Sequence, residues 1–138
     1  RLLKQVPCVW KEKILIVDDE KPVAELLKAI LHSEGDIDCA ENGRRALEML
    51  EKSYYKLVVS DIDMPVMDGF EFYQQASEMY PNIHERFLFF TGNSSRSVLE
   101  FFRKNGLLFM MKPSDIELIR ENALQILLGK DISRKQLP

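Results

Sequence analysis

A chain of 138 residues has the length of one globular domain, and its 46% hydrophobic and 30% charged residues suit a single buried core, which excludes a mainly disordered protein. The formal net charge of −3, with no dense Lys/Arg cluster, excludes the basic field that a nucleic-acid backbone requires, so no direct nucleic-acid binding is expected. No apolar run approaches membrane-spanning length, and Arg1-Leu2-Leu3-Lys4-Gln5 opens no signal-peptide core, so a cytoplasmic location with no membrane contact is expected.

The flanks 1–12 and 129–138 are polar or irregular and read as linkers around a domain spanning 13–128, although Leu2, Leu3, Val9 and Trp10 could pack on it. A start at Arg1 suggests a piece of something longer. Cys8 and Cys39 are far apart and have no metal-ligand spacing, so reduced, partly buried thiols are expected. The first element is the apolar run 13–17, a strand that ends at the acid pair Asp18-Asp19. A helix follows, with Val23, Leu26, Leu27, Ile30 and Leu31 on one face, Pro22 in its first turn and Gly35 as its stop.

A second strand is expected over 36–40 and a second helix over 44–52. The third strand, 57–60, is covered on both faces by its composition and ends at Asp61, ahead of a helix over 71–80. The fourth strand, 86–90, ends at Thr91 and leads to a helix over 95–104. The fifth, 108–111, ends at Lys112 before a last helix over 116–128. Five alternating β/α units imply a doubly wound α/β domain with a parallel sheet in the flavodoxin-like order 2-1-3-4-5, helices on both faces and ligands at the C-terminal strand edge.

In that order the first and third strands are neighbours, so Asp18, Asp19 and Asp61 converge. Either acid of the pair alone would read as a helix cap. Two carboxylates about 4 Å apart repel by roughly 4 kcal/mol at an effective dielectric near 20, so a cation belongs there. Mg2+ fits, because it takes hard oxygen ligands and typically one or two carboxylates together with phosphate oxygens. Thr91 adds a hydroxyl donor and Lys112 an ammonium on the same edge, both suited to phosphoryl oxygens.

These residues resemble the response regulator receiver family over nearly all of 13–128. Asp18-Asp19-Glu20 is similar to its acidic pair, and Asp61-Ile62-Asp63-Met64-Pro65-Val66-Met67-Asp68-Gly69 matches the loop pattern D-x-x-M-P-x-M-D-G. Thr91 and Lys112-Pro113 follow in the family's order. The resemblance implies that Asp61 is the phosphoacceptor in a two-component phosphorelay and that Asp19, Asp61 and the Asp63 backbone carbonyl ligate Mg2+, with Asp18 helping through water. It further implies that Lys112 pairs with the phosphoryl group and that the bond to Pro113 is cis. The implied partner is a sensor histidine kinase or phosphotransfer protein. The implied output face is the fourth helix, fifth strand and fifth helix, open to an effector or a homodimer contact.

Two positions depart from the usual pattern. Phe109 stands where many receivers carry a tyrosine that moves with Thr91, and Asp63 adds a carboxylate two residues beyond the acceptor. Two other readings compete. A haloacid-dehalogenase-like phosphatase also uses a D-x-D such as Asp61-Ile62-Asp63, but on its first strand. A receiver-like interaction module would bind partners without phosphorylation. The signalling reading makes the chain no turnover enzyme, but a domain that catalyses its own aspartyl phosphorylation and slow dephosphorylation.

Overall fold

The computed structural model describes residues 12–129. Strands β1 (Lys13–Val17), β2 (Asp36–Ala40), β3 (Leu57–Ser60), β4 (Phe87–Thr91) and β5 (Leu108–Met111) alternate with helices α1 (Lys21–Leu31), α2 (Gly43–Lys52), α3 (Gly69–Met79), α4 (Arg96–Lys104) and α5 (Ile116–Leu127). A 3-10 turn, Ile83–Arg86, precedes β4. All neighbouring strands run parallel, in the expected order β2-β1-β3-β4-β5. The proposed packing of Leu2, Leu3, Val9 and Trp10, and the position of Cys8, lie outside the described residues.

The period of two along each strand divides the core between the sheet's faces. Leu15, Val17, Val58, Phe87 and Phe89 pack with α2, α3 and α4 on one face, and Ile14, Ile16, Val59, Leu88 and Phe90 pack with α1 and α5 on the other. β1, β3 and β4 have no exposed position, as strands covered on both faces require. Burying side chains of this size contributes roughly 1.5–3 kcal/mol each, which makes the three central strands the rigid base of the edge above them.

Several local expectations shift. Arg86 ends the 3-10 turn instead of opening β4, and its guanidinium donates to the Tyr55 carbonyl at 2.5 Å. α3 begins two residues earlier than its apolar spacing suggested, because the Asp68 carboxylate caps it by accepting from the Glu71 N–H at 3.0 Å. Gly35 does not end α1, which stops at Leu31. A Cβ there would run into the Glu12 carbonyl oxygen and Ile14, so close approach to β1 explains the glycine. Cys39 is exposed rather than partly buried, since it lies on the edge strand β2, where only Ala40 is buried.

Candidate functional site

Val17 of β1 and Ser60 of β3 are register partners, so the residues that follow them, Asp18 and Asp61, leave the sheet side by side. Backbone bonds fix both: the Asp61 N–H donates to the Val17 carbonyl at 2.9 Å, and the Asp18 N–H donates to the Ala40 carbonyl at 3.0 Å. Gly69 closes the site from below. Its N–H donates to the Ile62 carbonyl at 2.7 Å, and a Cβ would collide with the Asp61 carbonyl oxygen. The loop between them is strained, because Val66 holds φ 69°, a left-handed conformation that a β-branched residue rarely adopts.

Asp18 and Asp61 are each only 6% exposed, and one carboxylate oxygen from each of Asp18, Asp19 and Asp61 lies within 4.8 Å of the others. This set of hard oxygen donors around one point fits a small divalent cation. Among the described residues the converging carboxylates are these three. The exposed Asp63 carboxylate instead accepts from the Asn93 side-chain amide at 3.1 and 3.3 Å, which leaves its backbone carbonyl as the donor that the resemblance implies.

Thr91 and Met111 are also register partners, so Lys112 emerges beside the end of β4, and the Lys112–Pro113 bond that redirects the chain is cis. The Lys112 Nζ donates to Asp61 Oδ2 at 2.9 Å, Asp18 Oδ2 at 3.1 Å and Glu20 Oε1 at 3.1 Å. Burial alone would lower the Lys112 ammonium, but hydrogen bonds and charge from Asp61 and Asp18 outweigh it and hold the group above its ordinary value. Asp18 is raised, first by burial, against the opposing pull of the Glu20 N–H and Lys112. Three carboxylates thus surround one ammonium, with Asp19 beside two of them, and negative charge stays in excess at the edge.

The Thr91 side chain is fully buried, and its hydroxyl oxygen accepts from the Asn93 N–H at 3.1 Å. Asn93 also accepts from the Ser95 N–H at 3.0 Å, so one residue ties the Asp63 loop to Thr91 and to the start of α4. Sequence reading missed this bridge, because its Asp63 and Asn93 ends are 30 residues apart and Asn93 looks like an ordinary loop residue. Phe109 shares Thr91's face of the sheet by strand alternation, yet it is 40% exposed, and its ring stacks on Phe102 of α4 with centroids 4.6 Å apart.

Known proteins resemble this chain in sequence and fold. The family model described as response regulator receiver domain matches residues 14–124. Sporulation initiation phosphotransferase F of Bacillus subtilis is 34% identical over 115 residues, covering 82% of this chain and 91% of that protein. An uncharacterized 14.6 kDa protein of Leptolyngbya boryana is 45% identical over 67 residues, which cover 48% of this chain and 51% of that protein. Other curated relatives are matched over only 26% and 31% of their length. The crystal structure of a CheY-like receiver domain protein from Methanospirillum hungatei superposes with TM-score 0.79 at 27% identity, covering 87% of this chain and 96% of that one. A family match running from β1 into α5, on a fold shared with a solved receiver, places this chain in the response regulator receiver domain family.

Proposed function

We propose that the chain is a phosphorelay receiver in which Asp61 accepts a phosphoryl group from a phosphohistidine on a sensor histidine kinase or phosphotransfer protein. The observation that carries this reading is the buried Asp61 carboxylate, set among Asp18 and Asp19 and within 2.9 Å of the Lys112 ammonium. In the reaction the Asp61 oxygen forms a bond to phosphorus and the phosphorus–nitrogen bond of the donor breaks. The leaving imidazole keeps the electron pair, and the product is an acyl phosphate. Phosphoryl transfer depends mainly on alignment and charge neutralisation, because its transition state is loose.

Each residue then has a defined task. Asp18, Asp19, Asp61 and the Asp63 carbonyl would hold Mg2+, which when bound supplies positive charge opposite the phosphoryl oxygens. Lys112 neutralises one phosphoryl oxygen, and the Thr91 hydroxyl turns from the Asn93 N–H toward another. Its departure opens space for Phe109 to leave its stack on Phe102 and bury its ring, which alters the face formed by α4, β5 and α5. That face is the proposed contact for an effector or a second copy, with no nucleic acid involved and the cytoplasm as the setting. Family membership and the mid-chain position of Asp61 weigh against the phosphatase reading, and the intact Asp61, Thr91 and Lys112 set weighs against a module that ignores phosphorylation.

The test is phosphoryl incorporation from acetyl phosphate with Mg2+ or with excess chelator, in wild type and Asp19→Ala. Incorporation that needs Mg2+ and falls in Asp19→Ala is expected. Undiminished incorporation in chelator would remove the acid cluster as a metal site.

A further inference from the structure

We propose that Glu20 is an internal competitor for Lys112, occupying the ammonium position that a phosphoryl oxygen must take and so slowing phosphorylation of Asp61. The inference rests on the phosphoryl-acceptor reading given above. A lysine ammonium has three N–H donors, and here Asp61, Asp18 and Glu20 take all three, at 2.9, 3.1 and 3.1 Å. No donor remains for an incoming phosphoryl oxygen. One contact must be given up when the donor binds, and the three are not equally easy to release. Asp18 and Asp61 are anchored: their side chains are 2% and 7% exposed, and each also accepts a backbone N–H, from Glu20 at 2.9 Å and from Ile62 at 2.6 Å. The Glu20 side chain is 58% exposed and has a longer, more flexible stem, so it is the one that can swing into water at small cost.

The local structure of α1 supports the same assignment. Glu20 occupies the N-cap position of α1, where a side-chain oxygen usually accepts from the first turn, and it makes no such bond. Its carboxylate reaches across the site to Lys112, 92 residues away, and leaves the helix end uncapped. The Glu20 carboxylate is a local stand-in for the phosphoryl oxygen, matched in charge and in the donor it uses.

Glu20 acts through Lys112, so it is a positioning residue. Competition by contact makes a different prediction from simple repulsion of an anionic donor. Glu20→Ala removes both the contact and the charge. Glu20→Asp keeps the charge but is one methylene too short to reach Lys112, and an aspartate here turns back to cap α1. The experiment measures second-order rates of phosphorylation by acetyl phosphate with Mg2+ for wild type, Glu20→Ala and Glu20→Asp, together with hydrogen exchange of the Lys112 ammonium by NMR in the metal-free proteins. Both variants should label about two- to five-fold faster, the factor by which an exposed ion pair shifts an equilibrium, and both should show faster ammonium exchange. An Asp variant that matches wild type in rate and exchange would overturn the proposal in favour of a field effect, and an Ala variant no faster than wild type would overturn it outright. A wild type that takes no phosphoryl group would bring down the acceptor reading and this inference with it. Equal labelling of all three proteins would bring down the inference alone.

Discussion

Val66 is 73% exposed and holds a positive φ, so little packing compensates its backbone strain. An L-residue in the left-handed region costs roughly 1–2 kcal/mol, while glycine loses about 0.5–1 kcal/mol more entropy on folding than alanine. The balance favours glycine, and Val66→Gly should stabilise the protein by up to about 1 kcal/mol in urea unfolding. An unchanged or lower midpoint would mean that the loop carries no strain. Gly69, four residues after the acceptor loop's Pro65, has the opposite expectation. A methyl group there meets the Asp61 carbonyl oxygen and, at 2.8 Å, the Ile62 Cα, both of them backbone atoms that cannot simply rotate away. Gly69→Ala should therefore cost about 1–3 kcal/mol, the usual range for overpacking, and should displace Asp61 enough to lower its labelling. A variant with wild-type stability and labelling would contradict the close approach.

The link between β2 and the start of β3 gives a pH-dependent test away from the acid cluster. The Tyr55 hydroxyl donates to Asp38 Oδ2 at 2.5 Å, and Lys13 pairs with the same oxygen at 3.2 Å. Asp38 is held below its ordinary 3.8, first by the Tyr55 hydroxyl and, against burial, by Lys13; its stabilisation is present above that value and is lost as pH falls through the lower folded value. Tyr55 is pushed up to about 12, first by burial and then by Asp38, so its stabilisation holds below the ordinary 10.0 and disappears as pH rises toward 12. Tyr55→Phe should cost about 1 kcal/mol at neutral pH, less than the roughly 1.5–3 kcal/mol of a bond to a charged group, because Asp38 is partly exposed. The gap should narrow in acid and in strong base, and a gap independent of pH would exclude the pair as its source. This pair was invisible in the sequence, as was the Asn93 bridge, because both join side chains that only the tertiary fold brings together. The strands were legible because apolar runs such as Ile14-Leu15-Ile16-Val17 have one interpretation when covered on both faces. The positions of Asp18, Asp61, Thr91 and Lys112 followed from where those runs end. The start of α3 was read late because its first turn, Gly69-Phe70, is set by the Asp68 cap rather than by an apolar period.

From the start of α3 to the β5 edge of the sheet, the molecule offers one continuous aromatic connection. Phe109 stacks on Phe102, Phe102 lies 5.1 Å from Phe89, and Phe89 packs against Phe101, which meets Phe70 of α3 edge-on at 4.6 Å. Of the apolar residues on α4, Phe102 is buried and Leu99 and Phe101 are partly buried, so Phe109 is the exposed aromatic of this face. Burying its ring contributes roughly 1.5–3 kcal/mol, enough to move a balanced two-state population substantially. With an acyl-phosphate mimic and Mg2+, amide exchange over 96–104 and 107–111 should change in wild type and stay unchanged in Phe109→Ala; identical patterns with and without the mimic in wild type would place the output on another face. The labelling and exchange consequences depend on Asp61 being the group that is modified. The most direct measurement is intact mass after incubation with acetyl phosphate and Mg2+, for wild type and Asp61→Asn, with peptide mapping of any adduct. The expected result is a single phosphoryl increment on wild type, mapped to Asp61, and none on Asp61→Asn, whose amide cannot act as the nucleophile. A full-strength adduct on a folded Asp61→Asn protein would contradict the account.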